Sequence, residues 1–127
     1  VKRRGIINSA LNARLSLLGH GDLVVVADCG LPVPDGVPVI DLAVVHGLPG
    51  FEPVVDALLE ELVFESALMA EEGRATPVED FLGKRFPCLA LVPHADFKQA
   101  TSLARLLIRT GEATPYANVL LRCGVPF

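Results

Sequence analysis

The chain is short of the features that would make it a disulfide-built, membrane-spanning or nucleic-acid-binding protein. It has three cysteines, Cys29, Cys88 and Cys123, an odd number, each in or beside an apolar run. That pattern suits buried, reduced thiols in a cytoplasmic protein rather than a disulfide framework. No two of them stand at metal-ligand spacing, and nothing nearby would lower a thiol pKa. No apolar run approaches the ~20 residues that a membrane helix needs. Basic charge is not in surplus, since 11 Lys and Arg face 15 Asp and Glu for a net charge of -4. With a pI of about 5.3, this argues against a nucleic-acid partner, and Lys2-Arg3-Arg4 reads as a solvated end. Polar Asn8, Ser9 and Asn12 follow that trio where a secretory signal would be apolar, so no leader is expected. Neither a Gly-x-Gly-x-x-Gly fingerprint after a strand nor a phosphate loop occurs, so nucleotide binding is not favoured.

What the chain has in abundance is apolar character. Its 127 residues are 51% hydrophobic, with a mean hydropathy of +0.48. This length suits one domain, residues 1–127, with a real core. The apolar surplus points to burial between subunits of a homo-oligomer.

Organisation centres on Gly19–Pro34, GHGDLVVVADCGLPVP. A histidine between glycines precedes a five-residue apolar run, Asp28 stands behind it, and a Gly-Leu-Pro-Val-Pro turn closes the stretch. An apolar run so bounded reads as a buried strand with a titratable group at each mouth, where chemistry is commonly mounted. Before it, Asn8 or Ser9 caps a short helix bearing Leu11, Leu15 and Leu18 on one face and stopped by Gly19. After it come a second apolar run, Val39–Val45, and Glu52–Leu59, which reads as a helix. Residues 61–71 alternate as a strand does. Thr76 and Pro77 open a helix to Lys84, and Cys88–Val92 is a strand. Phe97, Leu103, Leu106 and Leu107 predict one long helix over 95–110, followed by a last strand at Val119–Cys123. Strands alternating with helices predict an α/β layered domain with a mostly parallel or mixed sheet flanked by helices. Residues 88–123 form its expected βαβ unit.

Few residues could carry chemistry. Of His20, His46 and His94, the first and last sit at strand mouths, as does Asp28, and each has a purely structural alternative. His46 reads as surface or structural. Asp22 reads as a turn residue, and Asp41, inside an apolar run, as a buried hydrogen-bonded carboxylate. Lys98 lies one helical turn after His94 and can share its opening, although a solvated helix face explains it equally. Tyr116 and Asn118, two apart in an extended segment, share a face suited to holding hydroxyls. A metal centre built from His20, Asp28 and His94 finds no support in spacing.

These pieces together resemble the D-ribose pyranase family. The resemblance runs through Asn8-Ser9, Gly19-His20-Gly21-Asp22, Ala27–Pro34, Ile40–Ala43, Gly47-Leu48-Pro49, His94–Lys98, Ile108–Glu112 and Pro115–Asn118, nearly the whole chain. The related fucose mutarotases share the Gly-His-Gly-Asp start and the closing Gly-Val but lack the proline turn. Two departures stand out. Gly21 occupies a position where family members often carry threonine, and the 72–87 region is shorter than the family's usual helix. The resemblance implies interconversion of ribose pyranose and furanose without a cofactor or metal, in the cytoplasm. It makes His20 the proton donor and places sugar binding on Asp28, His94, Tyr116, Ala117 and Asn118, with Lys98 a plausible addition. It also implies a homo-oligomer, a pentamer or decamer, with no nucleic-acid or membrane partner. A mutarotase for fucose or another sugar, a sugar-binding or transport-associated module without turnover, and a purely structural oligomer-forming domain are the alternatives.

One geometric difficulty follows. His20 and Asp28 would lie roughly 25 Å apart across an extended segment, too far for one ribose. If all the strands are parallel, His20 and Tyr116–Asn118 fall at one end of the sheet and Asp28 and His94 at the other. A site completed between subunits, or by a folded-back glycine loop, would reconcile them.

Overall fold

The computed structural model describes residues 1–127. In chain order the elements are α1 (Ser9–Leu15), β1 (Leu23–Ala27), β2 (Val39–Asp41), α2 (Phe51–Leu59) and β3 (Phe64–Ala70). A 3-10 turn (Glu71–Gly73) then leads to α3 (Pro77–Arg85), β4 (Leu89–Val92), α4 (His94–Thr101), β5 (Leu106–Arg109) and β6 (Val119–Cys123). The strands make a six-stranded sheet in the order β2-β5-β1-β6-β3-β4.

Period-two alternation builds the layers. Val24 and Val26 of β1, Leu106 and Ile108 of β5, and Val119 and Leu121 of β6 face one core, with Leu11 and Leu15 of α1, Val55 and Leu58 of α2, and Phe81 and Leu82 of α3. Val25, Leu107 and Leu120 face the other core, where Phe97 of α4 and the loop residues Leu31 and Val37 meet them. Helices thus cover both faces of β1, which explains why its sequence is continuously apolar rather than alternating. Each such side chain taken fully out of water contributes about 1.5–3 kcal/mol.

The first helix forms with the expected cap, but it ends at Leu15 rather than at Gly19, so Leu18 lies beyond it. The Asn8 side chain accepts from the Leu11 backbone N–H at 2.9 Å, and Leu11 and Leu15 are buried. Pro77 opens α3 after Thr76, whose side chain makes no cap hydrogen bond.

Four expectations are corrected. The long helix over 95–110 does not exist, because α4 ends at Thr101 and Leu106–Arg109 is strand β5. Leu106, Leu107 and Ile108 are all fully buried, on alternate faces of the sheet, which a helix could not arrange. The βαβ unit over 88–123 fails with it, since β6 runs antiparallel to both β1 and β3. Asp41 is exposed rather than buried, at the end of a three-residue edge strand, where it pairs with Arg109 and accepts from the Ala43 N–H at 3.0 Å. Of the cysteines only Cys123 is buried, and Cys88 is exposed.

Strand direction decides what meets at each end of the sheet. β5 is parallel to β1, and β4 is parallel to β3, which lies antiparallel to β6. The chain therefore leaves β1 and β4 at the same end at which it enters β6. No helix is long and apolar enough to cross a membrane.

Candidate active site

The antiparallel course of β6 brings Tyr116 and Asn118 to the end of the sheet that already holds Asp28 and His94. The sorting that would hold if all the strands were parallel puts them at the opposite end. These four side chains, with the Gly30-Leu31-Pro32 turn and Pro115, line a cleft of about 220 Å³. That lies below the ~300–1,000 Å³ typical of pockets for drug-sized ligands and suits something of monosaccharide size.

Asp28 is the structural hub. One of its carboxylate oxygens accepts from the backbone N–H of Gly30 at 2.9 Å and of Leu31 at 2.8 Å. The other accepts from the Asn118 amide at 3.0 Å, while the Asp28 N–H donates to the Asn118 Oδ1 at 2.7 Å. A local Asx turn thus folds the proline loop, and a reciprocal pair clamps that loop to the mouth of β6. Asn118 is 1% exposed and Asp28 9%. These contacts leave one acceptor site on the carboxylate and one N–H on the amide for a guest.

His94 closes the other wall. Its ring stacks on Phe97 and meets Tyr116 edge-on at 5.2 Å between centroids. Its Nδ1 is buried without a hydrogen-bond partner, and the Tyr116 hydroxyl makes no hydrogen bond within the chain. A buried polar atom left unpaired is costly and asks for a ligand group. Tyr116 also adopts a positive φ of 62°, a conformation that non-glycine residues take only where their surroundings hold them to it. Gly73 is part of that holding, since a Cβ there would sit 3.6 Å from the Tyr116 Cβ and 2.7 Å from the Met69 Cε.

Two expected contributors stand apart from the cleft. Lys98 is exposed on α4 and is not among the residues lining it. The Ala117 side chain, 1% exposed, turns away into the core between Tyr116 and Asn118. His20 lies at the far end of β1, beside a separate groove of mixed lining. Five residues of β1 alone put about 16 Å between the two ends, so His20 does not meet Asp28 or His94 within one chain. The same separation means that His20, Asp28 and His94 form no common centre.

Three residues that support these side chains escaped the sequence reading. Both carboxylate oxygens of Glu72 accept from the His94 N–H, at 2.9 and 3.1 Å, and so cap α4. At the other end Glu65 lies 3.0 Å from the His20 Nε2. Glu112 accepts the Phe51 N–H at 3.1 Å, capping α2, while its carbonyl accepts the Cys29 N–H at 2.9 Å beside the cleft. The Phe51 N–H holds the Glu112 carboxyl below the usual carboxylate range, aided by Thr114 and opposed by burial. A lowered folded-state pKa contributes stability above the unfolded value, near 4.5, which is lost as pH falls through the folded one. Glu112→Gln is therefore expected to lower the urea midpoint at pH 7 and to shrink the difference between pH 7 and pH 3, as read by denaturation at both.

A three-layer α/β sheet with a small polar cleft at one end defines the class, a single-sheet protein built to hold a small hydroxylated ligand. Residues 1–126 match the model of the RbsD / FucU transport protein family, and the chain belongs to that family. It is 53% identical over 129 residues to D-ribose pyranase 1 of Rubrobacter xylanophilus and 55% identical over 129 residues to D-ribose pyranase of Streptomyces coelicolor, with 100% of both chains covered in each case. Among solved structures, Bacillus subtilis RbsD complexed with D-ribose superposes with a TM-score of 0.94 at 44% identity, over 100% of each chain. FucU from Bifidobacterium longum does so at 0.80 and 26% identity, over 95% of this chain and 97% of that one.

Proposed function

We propose that this chain is a cofactor-independent isomerase that interconverts the pyranose and furanose forms of D-ribose. The observation that carries the reading is the cleft's set of unspent polar groups: His94 Nδ1, the Tyr116 hydroxyl, one Asn118 N–H and one Asp28 lone pair. They suit a compact polyol, in a chain about half identical over its full length to D-ribose pyranases.

The reaction needs only proton movement. The anomeric hydroxyl loses its proton and its O–H electron pair forms the aldehyde C=O. The bond from C1 to the ring oxygen breaks, and that oxygen takes the electron pair and a proton. Rotation about C1–C2 follows, and a different hydroxyl adds to the aldehyde by the reverse of these steps. The oxidation state of carbon is conserved, so acid–base groups suffice. His20 carries the proton to the ring oxygen, imidazole being the side chain that most often serves as general acid and base. Asp28, His94, Tyr116 and Asn118 hold the sugar, and a site that pairs several hydroxyls rejects analogues lacking them.

His20 reaches such a sugar only from a second chain, so the reading includes a homo-oligomer in which one protomer's Gly19–Asp22 turn meets its neighbour's cleft. Exposed apolar side chains at Ile7, Val44, Val45 and Leu48, between 56 and 77% accessible, support association. We take residues 1–127 as one domain, and the unpaired cysteines, one of them exposed, favour a reducing, cytoplasmic setting.

The test is NMR saturation transfer between ribose pyranose and furanose signals. Added protein is expected to accelerate exchange, and no acceleration would sink the enzyme reading. A second arm with fucose addresses the other reading, a mutarotase for another sugar, which the likeness to FucU from Bifidobacterium longum favours. Faster exchange for fucose than for ribose would reassign the substrate.

A further inference from the structure

The groove around His20 contains an arrangement that the proposed reaction does not by itself require. β3 pairs with β6 through a register break: Phe64 faces Cys123 and Ser66 faces Arg122, which leaves Glu65 as the extra residue of a β-bulge. A bulge re-aims the side chain it carries, and bulges concentrate near functional sites. This one sends the Glu65 carboxylate to His20 Nε2 at 3.0 Å through one oxygen and to Arg122 Nε at 2.9 Å through the other. The bulge is fixed from three sides. The Gly124 N–H donates to the Val63 carbonyl at 2.9 Å, and a Cβ at Gly124 would stand 3.5 Å from the Glu65 Cβ. The Cys88 thiol donates to the Glu65 carbonyl at 3.3 Å.

The other acids near His20 are engaged elsewhere. Asp22 accepts the Gly19 N–H at 2.8 Å, closing the turn that carries His20, and Glu61 accepts the Ile6 N–H. Glu65 is thus the carboxylate that addresses the imidazole, and Arg122 addresses Glu65. Resting on the reading that His20 carries the proton, we propose that Glu65 is its positioning residue. Glu65 binds Nε2–H, fixes the ring and its tautomer, and leaves Nδ1 as the nitrogen that exchanges a proton with the sugar. When Nδ1 takes a proton, the imidazolium that forms faces an anion already in place. Arg122 keeps that anion aimed, with little net charge added to the groove. The logic is that of any histidine oriented by a third group on its far nitrogen.

Substitution by glutamine separates positioning from bulk. An amide at position 65 has one acceptor and one donor end, while His20 Nε2–H and Arg122 Nε–H both donate. Either His20 loses its acceptor, or Arg122 does and the amide stays held by one partner only. Glu65→Gln is expected to keep its fold by circular dichroism and to lower kcat for ribose exchange by about 10–100-fold, with KM within about twofold. Glu65→Asp, which restores the charge, is expected to recover part of that loss. In wild type, 15N-edited NMR of the imidazole is expected to show Nε2 protonated and hydrogen-bonded in the neutral ring, and this signature should weaken in Glu65→Gln. That spectrum decides the matter even if a variant fails to fold. A wild-type ring protonated at Nδ1, or an unchanged kcat in folded Glu65→Gln, would overturn the proposal. If His20→Gln itself retains full turnover, the reading beneath the proposal falls, and the proposal with it. Loss of turnover in His20→Gln but not in Glu65→Gln would overturn the proposal alone.

Discussion

His20→Ala is expected to lose ribose exchange by about 10²–10⁴-fold in kcat, the usual worth of a positioned general acid–base group, while the folded protein still binds ribose. The separation of the two effects follows from geometry. The groups proposed to hold the sugar line the cleft at the Asp28 end of the sheet, and His20 is not among the residues lining it. His20 itself is exposed, with 57% of its side chain accessible, and its contact with Glu65 is a surface pair worth little to stability. Truncation should therefore leave the urea midpoint nearly unchanged. Saturation transfer measures turnover, and ribose line broadening in the same samples measures binding. A variant that binds but does not turn over assigns His20 to the chemistry. Undiminished exchange would move the proton transfer to His94 or to water.

How much of this was readable in the residues depends on how local each feature is. The local half of the Asp28 hub is written within four positions: Asp28-Cys29-Gly30-Leu31 sets a short carboxylate just before a glycine turn, the setting of an Asx turn, and the strand before it is apolar throughout. His94 after β4 and the Tyr-x-Asn pair before β6 are likewise local. Strand direction is not. Leu106-Leu107-Ile108 is a short apolar run that periodicity alone cannot tell from the end of a helix, and its strand state is set by β1 and β2 on either side. Without β5, the expected βαβ unit makes β6 parallel, and an all-parallel sheet would put Tyr116 and Asn118 at the other end from Asp28. One misplaced strand thus moved half of the cleft. Glu65 was hidden for a related reason. The alternation over 61–71 describes a regular strand, whereas the bulge that aims the carboxylate exists only in the mismatch between β3 and β6. Lys98 and Ala117 entered through resemblance and spacing, and neither places a side chain in the cleft.

Asp28→Asn, a change of one atom, is expected to remove ribose binding and to cost about 1–3 kcal/mol of stability. The loss comes from donors with nowhere to turn. The native carboxylate accepts from Gly30, Leu31 and Asn118 while the Asp28 N–H occupies the Asn118 Oδ1. If the new amide keeps its oxygen toward Gly30 and Leu31, its NH2 confronts the Asn118 NH2. Flipping Asn118 sets its NH2 against the Asp28 N–H, and flipping residue 28 sets its NH2 against the two turn N–H groups. No orientation satisfies all of the donors. Urea denaturation and ribose titration by NMR measure both effects. The same variant decides where a complete site resides. Asp28→Asn spoils the cleft and His20→Ala spoils the proton carrier, so each protein alone is inactive. Suppose that each site joins one protomer's His20 to its neighbour's cleft. Unfolding and refolding an equal mixture then gives an intact His20 in half of the sites and, independently, an intact cleft in half. Roughly a quarter of wild-type turnover should return, because contacts in a closed symmetric assembly repeat around it. If His20 served the cleft of its own chain, every site would carry one lesion and the mixture would stay silent. Recovery of activity on mixing is therefore the expected outcome, and its absence would end the shared-site reading whatever the oligomer number.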